Sequence, residues 1–166
     1  HDHPDGGIKK GESYYWWKCM GGGRGGPKHY SKTKPKASQL TQSEFLGAMA
    51  DFEDEVGALS ADSGLEDMVA DIAGRIRELG EEQTNKKDNM PDSLQDADSG
   101  NMLQERADRC GEIADELEQI DFSDQPAEEG EDRAGTDEAD AQSEDENESD
   151  YWQGKLDEVQ AVDLST

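Results

Sequence analysis

The chain has 166 residues, 31% of them hydrophobic and 35% charged, with a formal net charge of −26. That is too polar for the whole length to be packed core, and too negative over most of its surface to attract nucleic acid or an anionic membrane. The charge is uneven: residues 1–36 carry net +5, 37–120 net −16, 121–150 net −13 and 151–166 net −2. Only the basic head can approach phosphate.

Residues 1–40 read as that head. After a polar lead-in, Ser13 to Met20 holds Tyr14, Tyr15, Trp16 and Trp17 in succession, a composition suited to a strand. Side chains alternate across a strand, which places Tyr15, Trp17 and Cys19 on one face and Tyr14, Trp16, Lys18 and Met20 on the other. The run Gly21 to Gly26 with Pro27 breaks it, and Lys28 to Lys32 reads as a return strand. The result is a β-hairpin with a glycine-rich loop, which is marginal alone in water and must dock on something.

Three helices are expected over 41–120, at about 42–59, 64–87 and 100–120. Thr41 and Glu44 form a T-x-x-E capping box, and Phe45, Met49, Phe52, Val56 and Leu59 then recur at spacings of 4, 3, 4 and 3, an apolar seam along one helix face. A turn over Ser60 to Gly64 follows, with a second box at Ser63 and Glu66, and Leu65, Val69, Ile72, Ile76 and Leu79 repeat the spacing. Asn89-Met90-Pro91 ends that helix. After a polar connector, capped by Asp98 or Ser99, the third seam is Leu103, Cys110, Ile113, Leu117 and Ile120, flanked by Ala107 and Ala114. Short connections between amphipathic helices favour an antiparallel bundle or coiled coil. The fold class expected is therefore mainly α, an N-terminal hairpin followed by a three-helix bundle.

Residues 121–150 are rich in acidic and small polar side chains, too poor in apolar surface to offset the ordering cost of the backbone, and read as a disordered acidic linker. Over 151–166, Tyr151, Trp152, Leu156 and Val159 recur at near-helical spacing, a short docking helix or a transient turn.

Motifs for chemistry are weak. Gly21, Gly23 and Gly26 match G-x-G-x-x-G, but the dinucleotide motif needs a helix next, and a second strand-like segment stands there instead. His1, His3, Cys19 and His29 have zinc-suited side chains without the spacing of a closed site. The D-x-D at Asp96 to Asp98 lacks the glutamate that a calcium loop carries at its twelfth position, which is Ala107 here. All three histidines lie in the first twenty-nine residues, so no nucleophile elsewhere has a histidine base in sequence reach. No enzyme activity, cofactor or metal is expected. Cys19 and Cys110 form no disulfide framework, which points to a reducing compartment. No apolar run approaches a membrane span or signal-peptide core, although the sequence starts at His1 rather than methionine.

What remains is the head itself, where lysines and Arg24 interleave with aromatic residues, the ingredients of single-strand binding. The candidate partner-binding residues are Tyr14, Trp16, Lys18, Arg24, Lys28, Tyr30 and Lys32. Trp17 and Tyr15 are expected to be hairpin core, with lysines pairing to the acidic helices. The partner is a protein, basic in one version, or nucleic acid through residues 8–36 only; membrane is excluded, and the helices offer an oligomer contact.

The segments IKKGESYYWWK, HYSKTKP, SQLTQSEFL and NMPDSLQDADSGNMLQERADRCGEIADELEQID resemble a group of small phage and prophage proteins of uncharacterised role, over roughly residues 4–121. The resemblance implies a bacterial host cytoplasm and no activity. Two functions follow as expectations: a non-enzymatic interaction protein using the head and the acidic body, or an acidic nucleic-acid mimic that inhibits a DNA- or RNA-binding protein.

Overall fold

The computed structural model describes residues 7–18, 26–124 and 138–165, with 138–147 described as backbone only. The protein is mainly helical with an N-terminal antiparallel hairpin. Strands β1 (Tyr15–Lys18) and β2 (Lys28–Ser31) are followed by a 3-10 turn at Ala37–Leu40 and by helices α1 (Glu44–Gly57), α2 (Leu65–Asp88), α3 (Asp92–Gln95), α4 (Asp98–Glu118) and α5 (Glu138–Ala161). Two compact units divide between Asp54 and Glu55, in the last turn of α1.

The first unit holds the hairpin, the 3-10 turn and most of α1. The strands pair antiparallel with Tyr15 opposite Ser31, Trp16 opposite Tyr30, Trp17 opposite His29 and Lys18 opposite Lys28. Phe45, Met49 and Phe52 are buried on α1 at the expected spacing. The helix start differs from the expected capping box. Ser43, not Thr41, accepts the backbone N–H of Leu46 on its hydroxyl at 3.3 Å, while the Thr41 hydroxyl accepts from Ser43 N at 3.1 Å. A threonine hydroxyl two residues upstream forms a local turn and leaves the cap to the serine.

The second unit is built on α2 and α4, which run antiparallel. Leu65, Val69, Ile72, Ala73 and Ile76 of α2 and Leu103, Cys110, Ile113, Ala114 and Leu117 of α4 are all buried. Arg77 reaches Asp115 at 2.8 Å and also Glu118, and Lys87 donates to Gln104 at 3.1 Å, which fixes the antiparallel sense. The seam departs from the expected one after Ile76. Leu79 is only half-buried, and Gly80 and Gln83 take the buried positions. The reason is proximity: a Cβ on Gly80 would stand 2.9 Å from Cys110 Cβ and 3.2 Å from the Ala107 carbonyl oxygen, so the helices approach at a residue without a side chain. Gln83 is 1% exposed and donates to the Leu79 carbonyl at 3.4 Å.

Neither of the other expected caps forms. Gly64, not Ser63, stands at the start of α2, without a side-chain cap, and its own N–H goes to Asp62 Oδ1 at 2.9 Å. α4 starts two residues earlier than expected, behind Ala97. There Asp98 sits within the first turn, where its charge suits the positive end of the helix dipole. The polar connector contains the short α3, and Gln95 donates to the carbonyls of Asp88 and Met90 at 3.3 and 2.9 Å.

The expectation of disorder over 121–150 needs correction at both ends, since Phe122 is buried and α5 begins at Glu138; residues 125–137 lie outside the described residues. Trp152, Leu156, Val159 and Leu164 are buried, and the helix packs on α2. Once those residues anchor a helix, each further residue adds a hydrogen bond without a new nucleation penalty, so the helix extends back into acidic sequence. Tyr151 donates its hydroxyl to the Phe122 carbonyl at 3.1 Å, and Arg109 donates to the carbonyls of Asp163 and Ser165 at 2.7 and 3.3 Å, tying down the end of the chain.

Candidate binding face on the hairpin

The pleat of β1 separates its neighbouring aromatic residues. Trp17 faces inward to its own unit: its ring stacks on His29 with centroids 5.6 Å apart, and its indole N–H donates to the Gln39 carbonyl at 3.0 Å. That bond couples the hairpin to the 3-10 turn, as expected of a structural residue. The opposite face carries Tyr14, Trp16, Lys18, Lys28 and Tyr30. Tyr14 meets Tyr30 edge to face at 5.9 Å, and Lys28 Nζ lies 5.6 Å from the Trp16 ring centroid.

Exposure distinguishes the two neighbouring tryptophans. Trp16 is 61% exposed and Tyr14 39%, whereas Trp17 is half-buried. A ring with a lysine over it and most of its surface exposed can take a second flat group or an apolar side chain. Tyr15 departs from the expectation that it would be core, being 50% exposed. It stands at the end of the strand opposite the small Ser31, and a two-stranded ribbon has no third strand to cover it.

The lysines divide as well. Lys32 pairs with Glu12 at 2.9 Å and Lys36 with Asp54 at 3.3 Å. The backbone N–H of Lys9, at 2.8 Å, and then the Lys32 ammonium hold the Glu12 carboxyl below the usual carboxylate range. Lys32 is thus engaged within the head, and Lys36 supplies the pairing with an acidic helix that the charge map suggested. Lys18 and Lys28 have no carboxylate partner among the described residues and stand opposite each other in register. They are the cations left to the face.

Five of the seven candidate residues, Tyr14, Trp16, Lys18, Lys28 and Tyr30, come together on this surface. Lys32 is diverted to Glu12, and Arg24 lies outside the described residues. So do His1, His3 and Cys19, the companions of His29 in the zinc reading, and Gly21 and Gly23 of the glycine motif; Gly26 leads into β2, not into a helix. Among the described residues no three His, Cys, Asp or Glu side chains form a metal-binding group, and no helix is long and apolar enough to cross a membrane. The sequence reading missed Glu12, although its place three residues after Lys9 is a turn-forming signal, and it missed the Gln39 carbonyl, for which no signal exists. Comparison of the chain with protein families, with curated proteins and with solved structures finds no match.

Proposed function

We propose that the chain is a non-enzymatic interaction protein of phage origin, acting in the cytoplasm of a bacterial host. Its hairpin face of Tyr14, Trp16 and Tyr30, with Lys18 and Lys28, meets a protein or single-stranded nucleic-acid partner. The observation that carries the reading is the exposure of Trp16, 61% open to solvent beside a lysine, next to a tryptophan that the fold half-buries and hydrogen-bonds. Exposed tryptophan and tyrosine on a strand supply large contact area at small entropic cost, and they serve equally as interface anchors or as stacking platforms for bases.

The test compares the full chain with Trp16→Ala by capture from bacterial lysate with cross-link mapping, and by fluorescence titration with a single-stranded oligonucleotide. Trp16→Ala should retain the circular dichroism of the parent and lose the captured partner or the oligonucleotide. Unchanged binding by the folded variant removes the hairpin face from the function.

A second reading, the acidic nucleic-acid mimic, is favoured by the backbone of α5. It sets the seven acidic positions of 138–150 along one helix, without a basic residue among them. Replacing those seven by Asn and Gln, which leaves Trp152 and the docked end of α5 in place, should abolish partner capture on this reading and spare it on the first.

A further inference from the structure

The second unit carries a groove of about 450 Å³ between the end of α1 and the first turns of α2, lined by Glu55, Ala58, Leu59, Asp67, Met68, Asp71 and Ile72. Its floor is apolar and its rim acidic. Ile72 is buried, Leu59 half-buried and Met68 37% exposed, so the groove deepens from an accessible thioether to a core isoleucine. Arg75 bridges Glu55 at 2.6 Å and Asp71 at 3.4 Å, which offsets one of the rim's three negative charges. Asp67 has no cationic partner among the described residues.

We infer that this groove is a docking site for a cationic amphipathic segment of a partner protein, with an apolar side chain seated on Leu59, Met68 and Ile72 and Lys or Arg side chains set against Asp67 and the Glu55–Asp71 edge. The inference goes beyond the hairpin reading and does not depend on it. An apolar floor inside a charged rim is the arrangement that anchors an amphipathic helix in a groove. Methionine, unbranched and polarisable, adapts to the shape of the incoming side chain. The sign of the rim selects the partner: an acidic segment meets like charge at close range, and an uncharged one leaves Asp67 desolvated without a counterion.

The test uses the full chain and a fluorescent synthetic helical peptide with leucines on one face and lysines on the other, read by anisotropy at low ionic strength. Two controls accompany it: the same peptide with glutamate for lysine, and a scramble of identical composition whose leucines share no face. The lysine peptide should bind, the glutamate peptide should not, and the scramble should bind roughly tenfold or more weakly, because it cannot seat an apolar stripe. Met68→Glu, at an exposed position that leaves the fold intact by circular dichroism, should lower affinity by roughly tenfold or more, since a carboxylate would have to be desolvated on the floor. Asp67→Asn should lower it by less and flatten its salt dependence, and Trp16→Ala should leave it unchanged. Equal binding of the scramble means that the bulk charge of the chain does the attracting, and overturns the proposal. So does full affinity in Met68→Glu, or self-association of the chain that Met68→Glu abolishes while no peptide binds, which gives the groove to a second copy.

Discussion

The close approach of α2 to α4 at Gly80 can be tested by placing one methyl group at two glycines of the same helix. At Gly80 a Cβ would lie 2.9 Å from Cys110 Cβ and 3.2 Å from the Ala107 carbonyl oxygen, whereas at Gly74 nothing lies within 4 Å. Both substitutions by alanine gain the same helix propensity, about 0.8–1.0 kcal/mol. Gly74→Ala should therefore be stabilising by about that amount. Gly80→Ala gains it too, but must separate two helices whose contact atoms cannot rotate away, an overpacking cost of about 1–3 kcal/mol. Its net effect runs from near neutrality to about 2 kcal/mol of destabilisation on the same scales. The difference between the two variants isolates the packing effect at about 1–3 kcal/mol, because the common propensity gain cancels. Urea unfolding followed by far-ultraviolet circular dichroism measures both, with the midpoint shift taken at constant slope. If Gly80→Ala stabilises as much as Gly74→Ala, the helices are not held at this distance, and the account of why glycine replaces leucine in the seam fails.

The docking of α5 rests on Trp152, 4% exposed, and on the buried Leu156, Val159 and Leu164 further along the chain. Trp152→Ala should cost the docked segment about 3–5 kcal/mol, the range for truncating a buried tryptophan. Limited proteolysis should then cut within 138–165 while α2 and α4 persist; an uncut tail would show that it is held elsewhere. Cys110 is fully buried between the helices, and burial pushes its thiol up from the usual value near 9 to about 11. The native chain should therefore be alkylated at Cys110 far more slowly than the unfolded chain, with mass spectrometry separating this site from Cys19. Because the folded pKa is the raised one, the neutral thiol's contribution to stability is intact below about pH 9. It declines as the pH rises toward about 11, since the unfolded chain releases its proton first. A pH–stability profile flat across that window in the parent relative to Cys110→Ala would contradict the burial.

The helical part of the fold was legible wherever apolar residues kept a helical period. Leu65, Val69, Ile72 and Ile76, and likewise Cys110, Ile113 and Leu117, are buried as their spacing implies. What the period could not show was a seam continued by Gly80 and Gln83, because a close helix approach selects for an absent side chain, and a search for apolar residues passes over it. Caps were misread for a related reason. Thr41 and Ser43 compete for one helix start, and the winner is set by which hydroxyl reaches which N–H, a matter of ångströms. Over the tail, composition hides a boundary: the acidic sequence of 121–150 is disorder-like, but the helix that occupies its end continues into the buried Trp152 outside it. Arg109 then contributes carbonyl contacts 54 and 56 positions away, a distance over which sequence carries no pairing signal.

The hairpin shows the same division between what alternation decides and what tertiary contact decides. Alternation assigns Trp16 and Trp17 to opposite faces with no further information. Which tryptophan is held within the fold depends on the Gln39 carbonyl, 22 positions downstream, which accepts the Trp17 indole N–H. Charge is reassigned in the same way. The net +5 of residues 1–36 suggests a strong positive field, yet Glu12 takes Lys32 and Asp54 takes Lys36, and among the described residues of the aromatic face Lys18 and Lys28 are the lysines without a carboxylate partner. Two exposed lysines on this face of a chain of net charge −26 attract a polyanion weakly at physiological ionic strength, where charges beyond about 8 Å are screened. On the proposed reading, recognition by this face therefore rests on the open ring of Trp16 and its tyrosine neighbours, with the lysines orienting what stacks there.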